Sequence, residues 1–240
     1  MKISVVTVCY NSVNTIENTI KSVINQKQCN IEYIIVDGGS VDGTLSIIEK
    51  YDKHIDKWIS EKDNGIYDAM NKAIRMVDGD WIIFLNSDDV FYDNNVLNRV
   101  ENYLYDTHTI YYGNVITNPF HEGLDGSYNK WRLSICNICH QAIFYPIAVF
   151  RKYSYQMRYK LYADWHLNIR CMGDKDFKFE HIQQVVSVFS TTGMSAFEND
   201  GLFLRDFNKI IVRYLGYRYL FYSVVYRKAS RLLRVVSQIK

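Results

Sequence analysis

Three short apolar runs, residues 3–8, 31–36 and 81–85, each end in a polar cluster: Tyr10-Asn11-Ser12, Asp37-Gly38-Gly39-Ser40 and Asn86-Ser87-Asp88-Asp89. Runs rich in β-branched residues and apolar on both faces suit parallel strands covered on both sides. Helical patterns separate them. Ile16, Ile20, Val23 and Ile24 follow a plausible capping pair, Asn14 and Glu17. A second helix runs through Leu45, Ile48 and Glu49. The clearest stripe is Ile66, Ala69, Met70, Ala73, Ile74 and Val77, with Gly79 where a C-terminal cap belongs. This alternation predicts right-handed βαβ units, hence an α/β fold around a mostly parallel sheet flanked by helices. Ligands of such sheets bind beyond the carboxyl ends of the strands, where all three polar clusters fall.

Beyond about residue 110 the pattern is less regular. Residues 110–116 and 142–145 read as strands, 164–172 as a short helix and 177–189 as one or two strands. With 240 residues, 48% of them apolar and 22% charged, the chain suits one globular domain with a small appendage. Strand character from the first residues leaves no room for a secretory signal within the sequence. Five irregularly spaced cysteines suggest reduced thiols and a cytoplasmic address. The net charge of +2 conceals an asymmetry. Between Arg205 and Lys240 stand nine Lys/Arg and a single acid, Asp206, whereas the rest of the chain holds 19 basic and 25 acidic groups. A basic tail on an acidic body calls for a polyanionic surface near the tail.

Several residues carry candidate chemistry. Carboxylates on the turn at Asp88 and Asp89 suit Mg2+ or Mn2+, hard ions that take oxygen ligands and share them with substrate phosphates. The plainer reading is a helix cap. Asp37 suits a base imide or a ribose hydroxyl; otherwise it stabilises an Asx-type turn. Neither a dinucleotide nor a triphosphate glycine motif is present. Asp68 has Lys72 four residues on, which predicts an exposed helix pair. Cys136-Asn137-Ile138-Cys139-His140 has the form of a haem attachment motif, yet nothing else in the chain supports haem or structural zinc.

Four ordered segments carry a more specific signal: Val5-Val6-Thr7-Val8-Cys9-Tyr10-Asn11, Ile34-Ile35-Val36-Asp37-Gly38-Gly39-Ser40, Ser60-Glu61-Lys62-Asp63-Asn64-Gly65-Ile66-Tyr67-Asp68-Ala69-Met70, and Phe84-Leu85-Asn86-Ser87-Asp88-Asp89. Together they resemble the inverting family 2 glycosyltransferases of the Rossmann-like GT-A fold, most of all bacterial enzymes that build surface polysaccharides. The resemblance implies a nucleotide-sugar donor, UDP above all, and a bound Mn2+ or Mg2+. It puts Val8, Tyr10, Asp37, Glu61, Asp63, Asn86 and Ser87 near the nucleotide and Asp88 on the metal. Asn86 stands where the family's first metal-motif Asp would be, a neutral substitute. The resemblance also implies that Asp164, in Tyr162-Ala163-Asp164-Trp165, is the base that deprotonates the acceptor hydroxyl; the alternative is an ordinary helix N-cap. Trp165 suits a sugar ring or the core. His140 suits the acceptor, the diphosphate or a structural hydrogen bond. Thr192, in residues 191–195, suits a closing loop or a plain surface loop.

In the tail, Tyr222, Val225, Ala229, Leu232 and Val236 recur at helical spacing, with Arg227, Arg231 and Arg234 opposite. Such an amphipathic basic helix suits a membrane interface, or else docks on its own domain or on a second copy. The expected organisation is a GT-A domain over 1–200, divided into a nucleotide-binding half (1–105) and an acceptor-binding half (106–200), followed by a helical tail (201–240). The expected enzyme is an inverting, metal-dependent hexosyl- or N-acetylhexosaminyltransferase acting on a saccharide, with a lipid-linked acceptor, a place at the inner face of the membrane and a homo-oligomeric state among the expectations. The contrasting reading is a catalytically silent nucleotide-sugar-binding scaffold. A nucleic-acid module using the tail is disfavoured by the acidic body.

Overall fold

Register decides where the strand tips fall. The computed structural model describes residues 1–118, 123–124, 126–190 and 200–238, with side chains omitted at Leu124 and from 231 onward. Its first half runs β1 (Ile3–Cys9), α1 (Ile16–Ile24), β2 (Ile31–Asp37), α2 (Thr44–Lys50), β3 (Lys57–Ser60), α3 (Ile66–Ile74), β4 (Trp81–Phe84), β5 (Val90–Phe91) and α4 (Val96–Glu101). The second half runs β6 (Thr109–Asn118), β7 (Gly123–Leu124), α5 (Lys130–Leu133), β8 (Ile143–Pro146), α6 (Ile147–Lys152), α7 (Ala163–Gly173), β9 (Lys178–Ser190), α8 (Gly201–Tyr214) and α9 (Tyr217–Gln238). Among the described residues the strands form one sheet ordered β3-β2-β1-β4-β8-β6-β9-β5, with β7 on β6. The block β3-β2-β1-β4 is parallel. Beyond it the sheet is mixed, β8 running antiparallel to both β4 and β6 while β9 runs parallel to β6.

Alternate side chains of the parallel block bury on opposite faces, as a doubly covered sheet requires. Val6, Val8, Ile34, Val36, Ile82 and Phe84 face one core with Met70 and Ala73 of α3. Ile3, Val5, Ile35 and Ile83 face the other, with Ile16 and Ile20 of α1 and Leu97 of α4. Each fully buried side chain of this size contributes about 1.5–3 kcal/mol. In the parallel block Cys9 pairs with Asp37, and Asp37 with Ser60, so three strand ends lie level.

Three local expectations are corrected. Asn14 and Glu17 form no capping box: Thr15 is the N-cap of α1 and makes no side-chain cap bond. The Glu17 carboxylate is taken instead by Lys50 (2.9 Å), Tyr51 (2.7 Å) and Lys21 (3.2 Å). Gly79 does not cap α3, which ends at Arg75. A Cβ at Gly79 would collide with Ser4, so the glycine permits close approach of the turn before β4 to β1. Asp68 does not pair with Lys72 either. It accepts from the Asn64 backbone N–H at 2.9 Å, ahead of α3, while Lys72 reaches across to Glu61 at 2.9 Å.

The tail is docked in its first turns. Tyr219 and Ser223 are buried, and the Trp131 ring lies 4.5 Å from that of Tyr219 and 5.2 Å from that of Tyr222. Arg227 is not a freely solvated charge, since it donates to Asn208 and stacks over Phe207. The outer face is bare, with Tyr217 78% and Phe221 74% exposed. Arg231, Leu232, Arg234 and Val236 lie outside the described side chains. No described helix is long and apolar enough to cross a membrane.

Glu32 of β2, 1% exposed, ties the amino end of the sheet together. It accepts from Ser4 Oγ (2.6 Å), the Asp78 N–H (2.8 Å) and Lys57 Nζ (2.9 Å). Burial works against its charge, but these donors outweigh it and hold its pKa at about 2, against an ordinary 4.5. A lowered folded-state pKa contributes stability that is complete above the ordinary value and is lost as pH falls toward the folded one. Glu32→Gln is therefore expected to cost about 1–3 kcal/mol at pH 7. In urea unfolding the gap between parent and variant should narrow as pH falls from 4.5 toward 2. A gap that is absent at pH 7, or constant with pH, would overturn this role.

Candidate active site

Asp37 organises the level strand ends. It is fully buried, and five donors saturate its two oxygens. Gly39 N, Ser40 N and Ser60 Oγ reach Oδ2 at 3.1, 2.9 and 2.6 Å. Ser40 Oγ (2.5 Å) and Cys9 Sγ (3.5 Å) reach Oδ1. Burial opposes its ionisation, yet the Ser40 and Ser60 hydroxyls with the Ser40 N–H prevail and lower its pKa. This is the turn-building role weighed in the sequence; a base imide would have to displace one of these donors. Around that turn, Asn11 (φ 48°) accepts from Val41 N at 3.0 Å and donates its own N–H to Ser40 Oγ at 2.7 Å. Tyr10 is left 60% exposed beside it. A Cβ on Gly38 would strike the Asp63 carboxylate, which accepts from Gly65 N at 2.9 Å, so the glycine lets Asp63 close over the turn. Glu61 is exposed at the end of β3, whereas the Val8 side chain belongs to the core and leaves only main chain to face a ligand.

The loop after β4 holds the second group. Ser87 Oγ bonds Ser12 Oγ at 2.8 Å. Asp89 is 1% exposed and accepts from Gln141 Nε2 and Ser190 N, each at 2.9 Å, so it stitches this loop to the second half of the sheet. Burial, then the neighbouring Asp88 charge, pushes its pKa up to about 7. Asp88 differs. Among the described residues its carboxyl accepts only from its own N–H, and burial raises its pKa. Beside it Asn86 Oδ1 is buried with no partner.

Antiparallel pairing explains what this loop meets. Trp81 pairs with Pro146 and Ile82 with Tyr145, so the 3-10 turn His140–Ala142, just before β8, arrives at the carboxyl end of β4. His140 Nε2 lies 2.8 Å from Asn86 Nδ2, and its Nδ1 lies 3.4 Å from Asp164 Oδ2. With Nδ1–H turned to Asp164, a neutral ring accepts from the Asn86 amide. Protonation makes both nitrogens donors and requires that amide to turn its oxygen to the ring. Burial disfavours the imidazolium, but the hydrogen bond and charge of Asp164, with the charges of Asp89 and Asp88, outweigh it and raise the His140 pKa.

Asp164 opens α7 and is 5% exposed. Its Oδ1 accepts from Tyr67 Oη (2.9 Å) and Trp165 N (2.7 Å), its Oδ2 from Asn137 Nδ2 (2.8 Å). Asn86, His140 and Asp164 thus form one continuous chain from the β4 loop to α7, drawn from three distant stretches of sequence. Trp165 donates to Leu133 O at 2.8 Å and packs on Phe203 and Phe207. Thr192 lies outside the described residues. Two members escaped the sequence reading, Tyr67 and Asn137. A polar-tipped Tyr67 on the otherwise apolar face of α3 was the available signal for one. Asn137 sat inside the Cys-x-x-Cys-His string and was masked by it. Among the described residues those cysteines join no group of three metal-ligating side chains; Cys136 Sγ points at Arg132 O (3.5 Å).

Known proteins share the sequence pattern and the fold. The family model described as glycosyl transferase family 2 matches residues 4–184. A Mycobacterium bovis protein described as PGL/p-HBAD biosynthesis glycosyltransferase is 33% identical over 179 residues, covering 72% of this chain and 70% of its own. The Bacillus subtilis putative teichuronic acid biosynthesis glycosyltransferase TuaG is 38% identical over 103 residues, 41% of this chain and 40% of its own. The S. aureus TarS fragment 1–349 in complex with UDP-GlcNAc superposes with a TM-score of 0.75 at 16% identity, over 90% of this chain and 68% of the fragment. Against the longer TarS chain the coverage is 43%. With the strand order and strand-end loops described above, these matches make the chain a member of glycosyl transferase family 2 with the GT-A fold.

Proposed function

We propose that the chain transfers a hexosyl or N-acetylhexosaminyl group from a UDP-sugar to a hydroxyl of a saccharide acceptor, with inversion, in the synthesis of a bacterial polysaccharide or glycolipid. The observation that carries this reading is the Asn86–His140–Asp164 chain of contacts, which links the Asp88 loop to the first turn of α7. The UDP-GlcNAc complex of TarS supports the donor class, and the name of TuaG supports the product class. In this reading Tyr10 stacks on the base, and Asp37, Glu61 and Asp63 shape its pocket. Asn86 and Ser87 lie near the ribose and diphosphate.

The residues at the β4 loop fit a hard divalent ion. Among the described residues Asp88 is a desolvated carboxylate with no ion pair, and Asn86 Oδ1 is a buried oxygen without a donor. Among the described residues no three His, Cys, Asp or Glu are placed to hold a metal alone, so phosphate and water oxygens would complete the shell. Mn2+ or Mg2+ held there supplies neutralisation of the diphosphate leaving group. Asp164 takes the proton from the acceptor hydroxyl as that oxygen bonds to the anomeric carbon. The bond to the nucleoside diphosphate breaks on the opposite face, and the electron pair leaves with the diphosphate. Tyr67, Asn137 and the Trp165 N–H hold the carboxylate in place, and His140 spans from it to Asn86. The exposed Tyr217 and Phe221 of α9 support a peripheral contact of the tail with a membrane.

A specific feature favours the silent binder as the second reading: Asp164 is almost wholly buried and already has four polar neighbours. Asp164→Asn separates the two. For the enzyme, turnover falls at least about 1,000-fold, equivalent to ~4 kcal/mol in the barrier, while the nucleotide affinity is retained. Turnover unchanged by Asp164→Asn would remove it as the base, and a parent chain without turnover would favour the scaffold. The donor site is read by thermal unfolding with UDP, GDP, CDP or TDP, each with and without Mn2+. A nucleotide at a hundred times its dissociation constant stabilises by ~2.7 kcal/mol, a shift of roughly 5–10 °C for a chain this size. The shift is expected with UDP and Mn2+ and is lost in Asp88→Ala; no shift with any nucleotide would sink the donor reading.

A further inference from the structure

Helix α7 carries Asp164 on one face and a different chemistry on the other. At about 100° per residue, His166 and Arg170 project away from the Asp164 side. There α7, α8 and the segment before α7 line an open cleft of about 500 Å3. Its charged walls are Arg158, Arg170, Lys209 and Arg213, against one carboxylate, Asp206. Asp206 is already ion-paired with Arg158. Arg170, Lys209 and Arg213 form no ion pair among the described residues. Arg170 is held between the rings of Tyr153 (4.2 Å) and Tyr214 (5.8 Å), which orient its guanidinium without neutralising it.

Two buried polar atoms at this cavity lack partners among the described residues. Among the described residues Arg170 Nε makes no hydrogen bond, and neither does Nδ1 of His166, a side chain only 7% exposed. Leaving such an atom unpaired costs free energy, about 1–3 kcal/mol. Burial, then the charges of Arg170, Arg158 and Arg213, depress the His166 pKa to about 4, so the ring is neutral at neutral pH. Cations gathered from α7, α8 and the preceding segment around these unpaired atoms call for a counter-anion with several oxygens. A single carboxylate would leave most of the charge unmet, whereas a phosphate accepts from several donors at once.

We propose that this pocket binds a phosphate-bearing group, a mono- or diphosphate on a soluble metabolite or a lipid headgroup, at a site distinct from the Asn86–His140–Asp164 cluster. The assignment does not depend on the catalytic reading, because no residue of that cluster lines the cavity.

The test uses the whole chain without divalent metal, so that the Asp88 loop does not compete. Sodium pyrophosphate is titrated calorimetrically. In parallel, sedimentation is measured with phosphatidylcholine vesicles with and without phosphatidic acid. Lys209 and Arg213 are exposed, so Lys209→Gln/Arg213→Gln is compared with the parent without threat to the core. Saturable pyrophosphate binding that weakens about tenfold or more in the variant supports a pocket for soluble phosphates. Binding only to phosphatidic-acid vesicles, weakened to the same degree in the variant, supports the lipid source. Equal binding by parent and variant, or none by the parent, overturns the proposal. A second readout needs no substitution: in the parent, the His166 ring resonances shift with the midpoint of the phosphate titration. Resonances that stay fixed through saturation also overturn it.

Discussion

A buried carboxylate cannot remain charged without donors, and Asp37 has drawn its donors from every segment that meets at the strand ends. Cys9 comes from β1, Gly39 and Ser40 from the loop after β2, and Ser60 from β3. Ser40 in turn fixes Asn11, which sets the backbone from which Tyr10 projects, and Gly38 leaves the gap that Asp63 fills. The shape of the exposed edge follows from satisfying one ion. A charged group kept from water is strongly held only when fully hydrogen-bonded, which makes this edge rigid before any ligand arrives.

The other half of the site depends on a strand running the opposite way. Because β8 pairs antiparallel with β4, the chain enters β8 at the end where β4 leaves the sheet, bringing His140 and Gln141 against Asn86 and Asp89. Asp89 is the second buried carboxylate to fasten loops. It binds the two halves together where Asp37 binds the strands within one half. The adjacent residues Asp88 and Asp89 therefore differ in kind: Asp89 is committed to joining loops, whereas the Asp88 carboxyl accepts only from its own N–H among the described residues.

Three strands of the parallel block, β1, β2 and β4, were legible because they are apolar on both faces and run into clusters of glycine, serine, asparagine or aspartate. β3 escaped, since Lys57-Trp58-Ile59-Ser60 is short and only half-buried and lacks the apolar run that marked its neighbours. The antiparallel β8 was visible as a strand, but periodicity carries no direction, so the meeting of His140 with Asn86 could not be read from spacing. The same limit applies to Asp37. A strand-end Asp does not announce which loops will donate to it, and the five donors of Asp37 come from three separate segments. In the tail, helical spacing located α9, yet the docked face centres on Tyr219 and Ser223 rather than on the stripe through Tyr222 and Val225. Local amphipathicity ranks the faces of a helix by polarity alone; Trp131, from a distant segment, decided which face docked.

The central position of β4 also bears on how the chain is made. Trp81, Ile82, Ile83 and Phe84 are each at most 1% exposed in the finished fold, covered on both faces and paired on both sides. During synthesis, roughly sixty residues separate this strand from the one that closes its open side, about 3–12 s at ordinary translation rates. Throughout that interval β4 is an uncharged apolar edge, the kind of surface that templates pairing with another chain. The first hundred residues look like a self-contained βαβ unit, yet they end on an edge that only later sequence can cap. A fragment stopped there would aggregate in place of behaving as an isolated ligand-binding module.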